Sequence, residues 1–130
     1  MATLTVNLLA GPAENELADF ALRLGAAALD QGHRFQLFLF GNACALANQD
    51  APWPGDRDMN QELTDFMDAQ KLGGRLAELA QRGAEAHTCH TTEYVRGSEG
   101  CAYLPGVARG NVGASLMKFL LTSDAALTLG

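Results

Sequence analysis

The stretches TLTVNLL at residues 3–9 and RFQLFLF at residues 34–40 flank a helix-periodic segment, and together these three pieces decide the fold. The first is rich in apolar and β-branched residues and stops at Ala10-Gly11-Pro12, the signature of a strand followed by a turn. From Asn15 the apolar residues Leu17, Phe20, Ala21, Leu24 and Ala28 recur at helical spacing, with Asp19 and Arg23 on the other side. Asn15 is placed to cap this helix and Gly32 to stop it. The second strand is apolar almost without alternation at its end, as a central parallel strand covered on both faces requires. Strand, helix and strand in so short a span predict a right-handed βαβ unit.

Beyond it the pattern loosens. Residues 41–74 are acidic, are interrupted by Pro52-Trp53-Pro54-Gly55, and hold two weak helical patches, at residues 63–67 and 72–79. Connections of this length are usually functional loops or covers, and Trp53 and Met59 fit a cover or a subunit contact. Leu76, Leu79 and Ala80 read as the inward side of a crossover helix ending near Gly83, followed by a short polar strand, EAHTC, at residues 85–89. Gly97, Gly100, Gly106, Gly110 and Gly113 then stud what reads as a loop. Leu116, Phe119 and Leu120 predict a helix, and AALTL at residues 125–129 a closing strand. The expectation is one α/β domain over residues 1–130, a three-layer sandwich around a mainly parallel, flavodoxin-like sheet of four to five strands.

Composition narrows the function. With 48% apolar and 18% charged residues, the 130-residue chain has enough apolar material for a core without disulfide or metal staples. A net charge of −6, concentrated in Asp50, Asp56, Asp58, Glu62, Asp65 and Asp68, repels phosphate backbones, so nucleic acid is not expected as a direct partner. The start, Met1-Ala-Thr-Leu-Thr-Val, lacks a basic region and alternates like a strand, and no apolar run approaches a membrane span. Three cysteines at wide spacing, with no CxxC pair, fit reduced thiols in a cytoplasmic protein.

Chemistry is expected at Cys89. The carboxyl ends of parallel strands open on one rim where reacting groups collect, and Cys89 closes a strand there. A thiolate is favoured by nearby positive charge, which His87, His90 and Arg96 can supply. Alternation along the strand puts His87 on the Cys89 face and His90 off it. Zinc held by His87, Cys89, His90 and Cys44 or Cys101 is a weaker reading, because structural zinc usually uses two closely spaced ligand pairs. A phosphate or flavin site at Gly11-Pro12-Ala13 is weaker too, since there is no GxGxxG or P-loop lysine and Glu14 and Glu16 follow. Neither metal nor cofactor is expected.

The run Cys89-His90-Thr91-Thr92-Glu93-Tyr94-Val95-Arg96-Gly97 resembles the active-site segment of the DsrE/TusD sulfurtransferase family, in which a cysteine ends a strand and Arg-Gly follows at this distance. Gly11-Pro12-Ala13, Gly32-His33, residues 38–41, Gly113-Ala114 and Ser123-Asp124 are similar to further family positions. The resemblance implies a DsrE-like fold and a carrier that holds sulfane sulfur as a persulfide on Cys89. It implies delivery to a partner thiol, an acceptor of the DsrC/TusE type, in transfer-RNA thiolation or dissimilatory sulfur oxidation. Loading would come from a donor protein or polysulfide, and assembly as a homo- or hetero-oligomer, a trimer or hexamer, is implied as well. Some relatives lack the cysteine and serve only assembly, so a non-catalytic subunit is an alternative. The chain departs from the family in the polar residues 90–93 and in a shorter loop carrying Cys101. Cys44 and Cys101 are candidate auxiliary thiols that would resolve or protect Cys89 if all three face one rim.

Overall fold

The computed structural model describes residues 1–11, 15–49 and 72–130. Five strands form one parallel sheet: β1 (Thr3–Leu8), β2 (Arg34–Leu39), β3 (Glu85–Cys89), β4 (Val107–Gly110) and β5 (Ala125–Leu129), in the order β4-β3-β2-β1-β5. Helix α1 (Asn15–Asp30) joins β1 to β2. A 3-10 helix (Gly41–Ala47) and α2 (Leu72–Gln81) lie between β2 and β3. A short α3 (His90–Val95) follows β3, and a π-helical turn (Val112–Leu116) running into α4 (Met117–Thr122) precedes β5.

This strand order divides the helices between the faces. From β1 to β3 the chain steps in one direction, so right-handed crossovers place α1 and α2 on one side. The step from β4 back across to β5 runs the other way and places α4 on the opposite side. Alternation then sorts the side chains. Val6, Leu8, Phe35, Leu37, Leu39, Ala86 and Val107 form the main apolar core with Leu72, Leu76 and Leu79 of α2. The other face carries Thr5, Gln36, Phe38, His87 and Cys89 beneath α4.

Helix α1 buries Ala18, Ala21, Leu22, Gly25 and Ala28, whereas Leu17 and Phe20 are exposed. The stripe is thus rotated from the one expected around Leu17 and Phe20. Packing explains the rotation: a side chain at Gly25 would drive into the Phe35 ring, so the small residues face the sheet and let the helix approach. Gly32, at φ 76°, ends α1 as expected, with the His33 amide bonded to the Ala28 carbonyl at 2.9 Å. The stretch read as a glycine loop contains β4, and α3 lies just before it. Four residues, VARG, are too few and too polar to signal a strand, and their pairing with β3 from Ala86↔Val107 to Cys89↔Gly110 defines β4. The acidic cluster, Trp53, Met59, the patch at 63–67 and Pro12 to Glu14 lie outside the described residues.

Candidate functional site

The site grows from the end of β3. Cys89 is its last residue and the N-cap of α3, so the chain turns from sheet into helix at this thiol. The helix stops after six residues, where Gly97 at φ 72° accepts the left-handed conformation and the Ser98 amide returns to the Glu93 carbonyl at 3.0 Å. Residues 90–98 are thereby folded back over the rim.

Cys89 is 1% exposed and belongs to a second core cluster with Phe38, Cys44 and Phe119, flanked by Phe40 and Leu116. Cys44 comes from the 3-10 helix after β2, which brings it to the carbonyl end of β3. Its Sγ lies 3.6 Å from the Cys89 carbonyl oxygen, 3.4 Å from the Leu39 carbonyl oxygen and 2.9 Å from Thr92 Oγ1. Thr92 donates its hydroxyl proton to the Cys89 carbonyl at 3.1 Å, which leaves its oxygen to accept from Cys44 Sγ and from the Gly41 amide at 3.3 Å. One hydroxyl therefore ties β3, α3 and the 3-10 helix together around the two thiols.

His87 lies two residues back on the Cys89 face. Its ring centroid is 4.9 Å from that of Phe119, and its Nδ1 is 2.8 Å from Ser115 Oγ. Burial lowers the His87 pKa from its ordinary 6.5; Glu85 opposes the shift and Lys118 adds to it. The neutral imidazole is favoured, and its part beside Cys89 is hydrogen bonding and packing. Gly110, opposite Cys89 in register, keeps this corner open, because a side chain there would collide with Ser115 and crowd His87.

The other expected residues stand apart. His90 faces outward, with Nε2 3.7 Å from Glu99 Oε1, and Arg96 is exposed at the far end of α3. Cys101 is half-buried in the following loop and lies outside the Cys89 cluster. The structure thus gathers Cys89, Cys44 and His87 and leaves Arg96 and Cys101 elsewhere. Among the described residues, no three His, Cys, Asp or Glu side chains are placed to hold a metal ion.

Sequence reasoning gave no role to Thr92, Ser115 or Glu93. Thr92 stands three residues after a strand-ending cysteine, where a hydroxyl returns to the preceding carbonyl, and that spacing is a usable signal. Glu93 carries a weaker one. It is 1% exposed; Oε2 accepts from Tyr103 Oη–H at 2.6 Å, and Oε1 has no hydrogen-bond partner. Burial, together with this bond to Glu93, pushes the Tyr103 pKa up to about 12, while Arg109 Nε donates to the same phenolic oxygen at 3.2 Å. This chain of contacts pins the loop after α3 against β4. The strand-like bridge between Asn48 and Tyr103 ties the same loop to the segment leaving the 3-10 helix.

Comparison with known proteins agrees with this frame. No curated protein matches the chain. The crystal structure of the ychN protein from E. coli superimposes with a TM-score of 0.77 at 22% identity, covering 98% of this chain and 99% of that one. No helix among the described residues is long and apolar enough to cross a membrane. The DsrE/DsrF-like family model matches residues 4–129, nearly the whole sheet from β1 to β5, and the chain belongs to that family.

Proposed function

We propose that this chain is a sulfur carrier that holds sulfane sulfur as a persulfide on Cys89 and passes it to a thiol of a partner protein. The observation that carries this reading is the place of Cys89, the last residue of β3 on the carbonyl rim of a parallel sheet, in a family associated with sulfur relay. Loading and delivery are successive thiol exchanges. The Cys89 thiolate attacks the terminal sulfur of a polysulfide or of a donor persulfide, forming an S–S bond as the donor's own S–S bond breaks. An acceptor thiolate of the DsrC/TusE type then attacks the outer sulfur and returns Cys89 as thiolate.

The burial of Cys89 fits storage better than constant exposure. Phe38, Phe119 and Leu116 shield an extra sulfur from water and stray thiols, so each exchange requires the rim to open. We assign that opening to α3, whose six residues are few and whose Tyr94 and Val95 are 65% and 80% exposed, a ready contact for a partner. We likewise assign the exposed Met117, Leu120 and Leu121 of α4 and Leu127 of β5 to contacts within a trimer or hexamer.

The test is intact mass after exposure to polysulfide or to a persulfide-loaded rhodanese. The protein should gain one sulfur atom, removable by dithiothreitol, and Cys89→Ser should gain none. An equal gain by Cys89→Ser, or no gain by the native chain with either donor, rejects the carrier reading.

A further inference from the structure

The structure separates the two auxiliary thiols that the sequence treats alike. Cys101 lies outside the Cys89 cluster, whereas Cys44 lies inside it, 2% exposed, with Sγ 3.6 Å from the Cys89 carbonyl oxygen. Thr92 reaches both residues, holding the Cys44 sulfur at 2.9 Å and the Cys89 carbonyl at 3.1 Å. Cys89 ends β3, and Cys44 sits five residues past the end of β2, its neighbour in the sheet. A disulfide asks for close approach of the two residues, with Cα atoms about 4.4–6.8 Å apart, and the Cys44 sulfur already touches the Cys89 backbone. The shield that excludes foreign thiols therefore encloses one thiol of the protein's own.

We propose that Cys44 is an internal resolving thiol: when no acceptor arrives, it displaces the sulfur carried on Cys89 as hydrogen sulfide and closes a Cys44–Cys89 disulfide. This rests on the persulfide reading of Cys89. The Cys44 sulfur attacks the inner sulfur, Cys89 Sγ; the Sγ–Sγ bond forms and the bond to the outer sulfur breaks. The outer sulfur leaves with its hydrogen and takes the Cys44 thiol proton, so hydrogen sulfide departs. Cys44 sulfur is oxidised and the outer sulfur reduced, and no external oxidant enters. The protein then stays unloaded until a dithiol reductant opens the bridge. Residence of sulfur on Cys89 is thus timed from within the site, and an acceptor competes with Cys44 for the persulfide.

The experiment loads the native protein with polysulfide, removes excess donor, and follows intact mass, released sulfide and alkylated peptides over time without acceptor. The one-sulfur adduct should give way to a species lighter than the reduced protein by two hydrogens. Released sulfide should match the adduct lost, and peptides containing Cys44 and Cys89 should be linked. Cys44→Ser, which keeps a hydroxyl near Thr92, should load equally and hold its adduct about tenfold longer or more. Cys101→Ser should behave as the native chain. Loading followed by equal adduct lifetimes in native protein and Cys44→Ser overturns this inference and leaves the carrier reading standing. A bridge mapped to Cys101 overturns it as well. Absence of loading at Cys89 overturns both, and because the bridge is mapped on native protein, a misfolded variant does not decide the outcome.

Discussion

The two faces of the sheet are built from alternate residues of the same strands, yet they are different materials. Beneath α1 and α2, Val6, Leu8, Leu37, Leu39 and Ala86 pack against Leu72, Leu76 and Leu79 as continuous aliphatic core. Beneath α4, a helix of six residues covers Thr5, Gln36, His87 and Cys89, and polar contacts fasten it. Thr5 Oγ1 donates to Gln36 Oε1 at 2.9 Å, Gln36 Nε2 donates to Thr122 Oγ1 at 3.3 Å, and Ser123 Oγ donates to Thr5 Oγ1 at 2.9 Å. The first face is a non-directional glue that tolerates no chemistry; the second keeps hydrogen-bonding groups and two thiols under a thin cover. The difference teaches that purely apolar packing and a polar, thiol-bearing layer are divided between the faces by a period of two residues.

The sharpest way to break this division is to remove the cover. Phe119→Ala deletes a fully buried ring against Cys89 and His87, and a loss of about 3–5 kcal/mol in urea unfolding is expected. Under native conditions the same variant should react faster with a thiol reagent at Cys89. Leu37→Ala, on the opposite face, should cost about 2–5 kcal/mol and leave Cys89 labelling of the folded protein unchanged. Equal labelling of both variants would show that the faces are not independent.

Smaller changes sharpen the comparison at the rim. Tyr103→Phe removes the hydroxyl donor to buried Glu93, and the orphaned carboxylate oxygen should cost about 1–3 kcal/mol by chemical denaturation. The smallest effect concerns His87. Because its pKa is lowered in the native state, the unfolded chain takes up more protons as pH falls below 6.5. Its contribution to stability is complete above that pH and is lost as pH falls through the depressed native value. Denaturation midpoints of the native chain and His87→Gln should therefore differ in slope below 6.5 and run parallel above it. Parallel curves throughout would show that His87 is solvated in the native protein.

The sequence by itself determined the βαβ opening, the stop at Gly32, the strand ending in Cys89 and the closing strand, because period, punctuation and β-branching act locally. Alternation within residues 85–89 also told that His87 shares the Cys89 face and His90 does not. Only the tertiary structure decided the rest. β4 exists through its pairing with β3, and the buried stripe of α1 was chosen by Phe35 pressing on Gly25. The placing of Cys44 rather than Cys101 beside Cys89 required residues forty-five apart in the chain to meet past the ends of β2 and β3, with Thr92 between them. Propensity is a property of neighbours along the chain, whereas the thiol pair is a property of neighbours in space, and no local pattern records the latter.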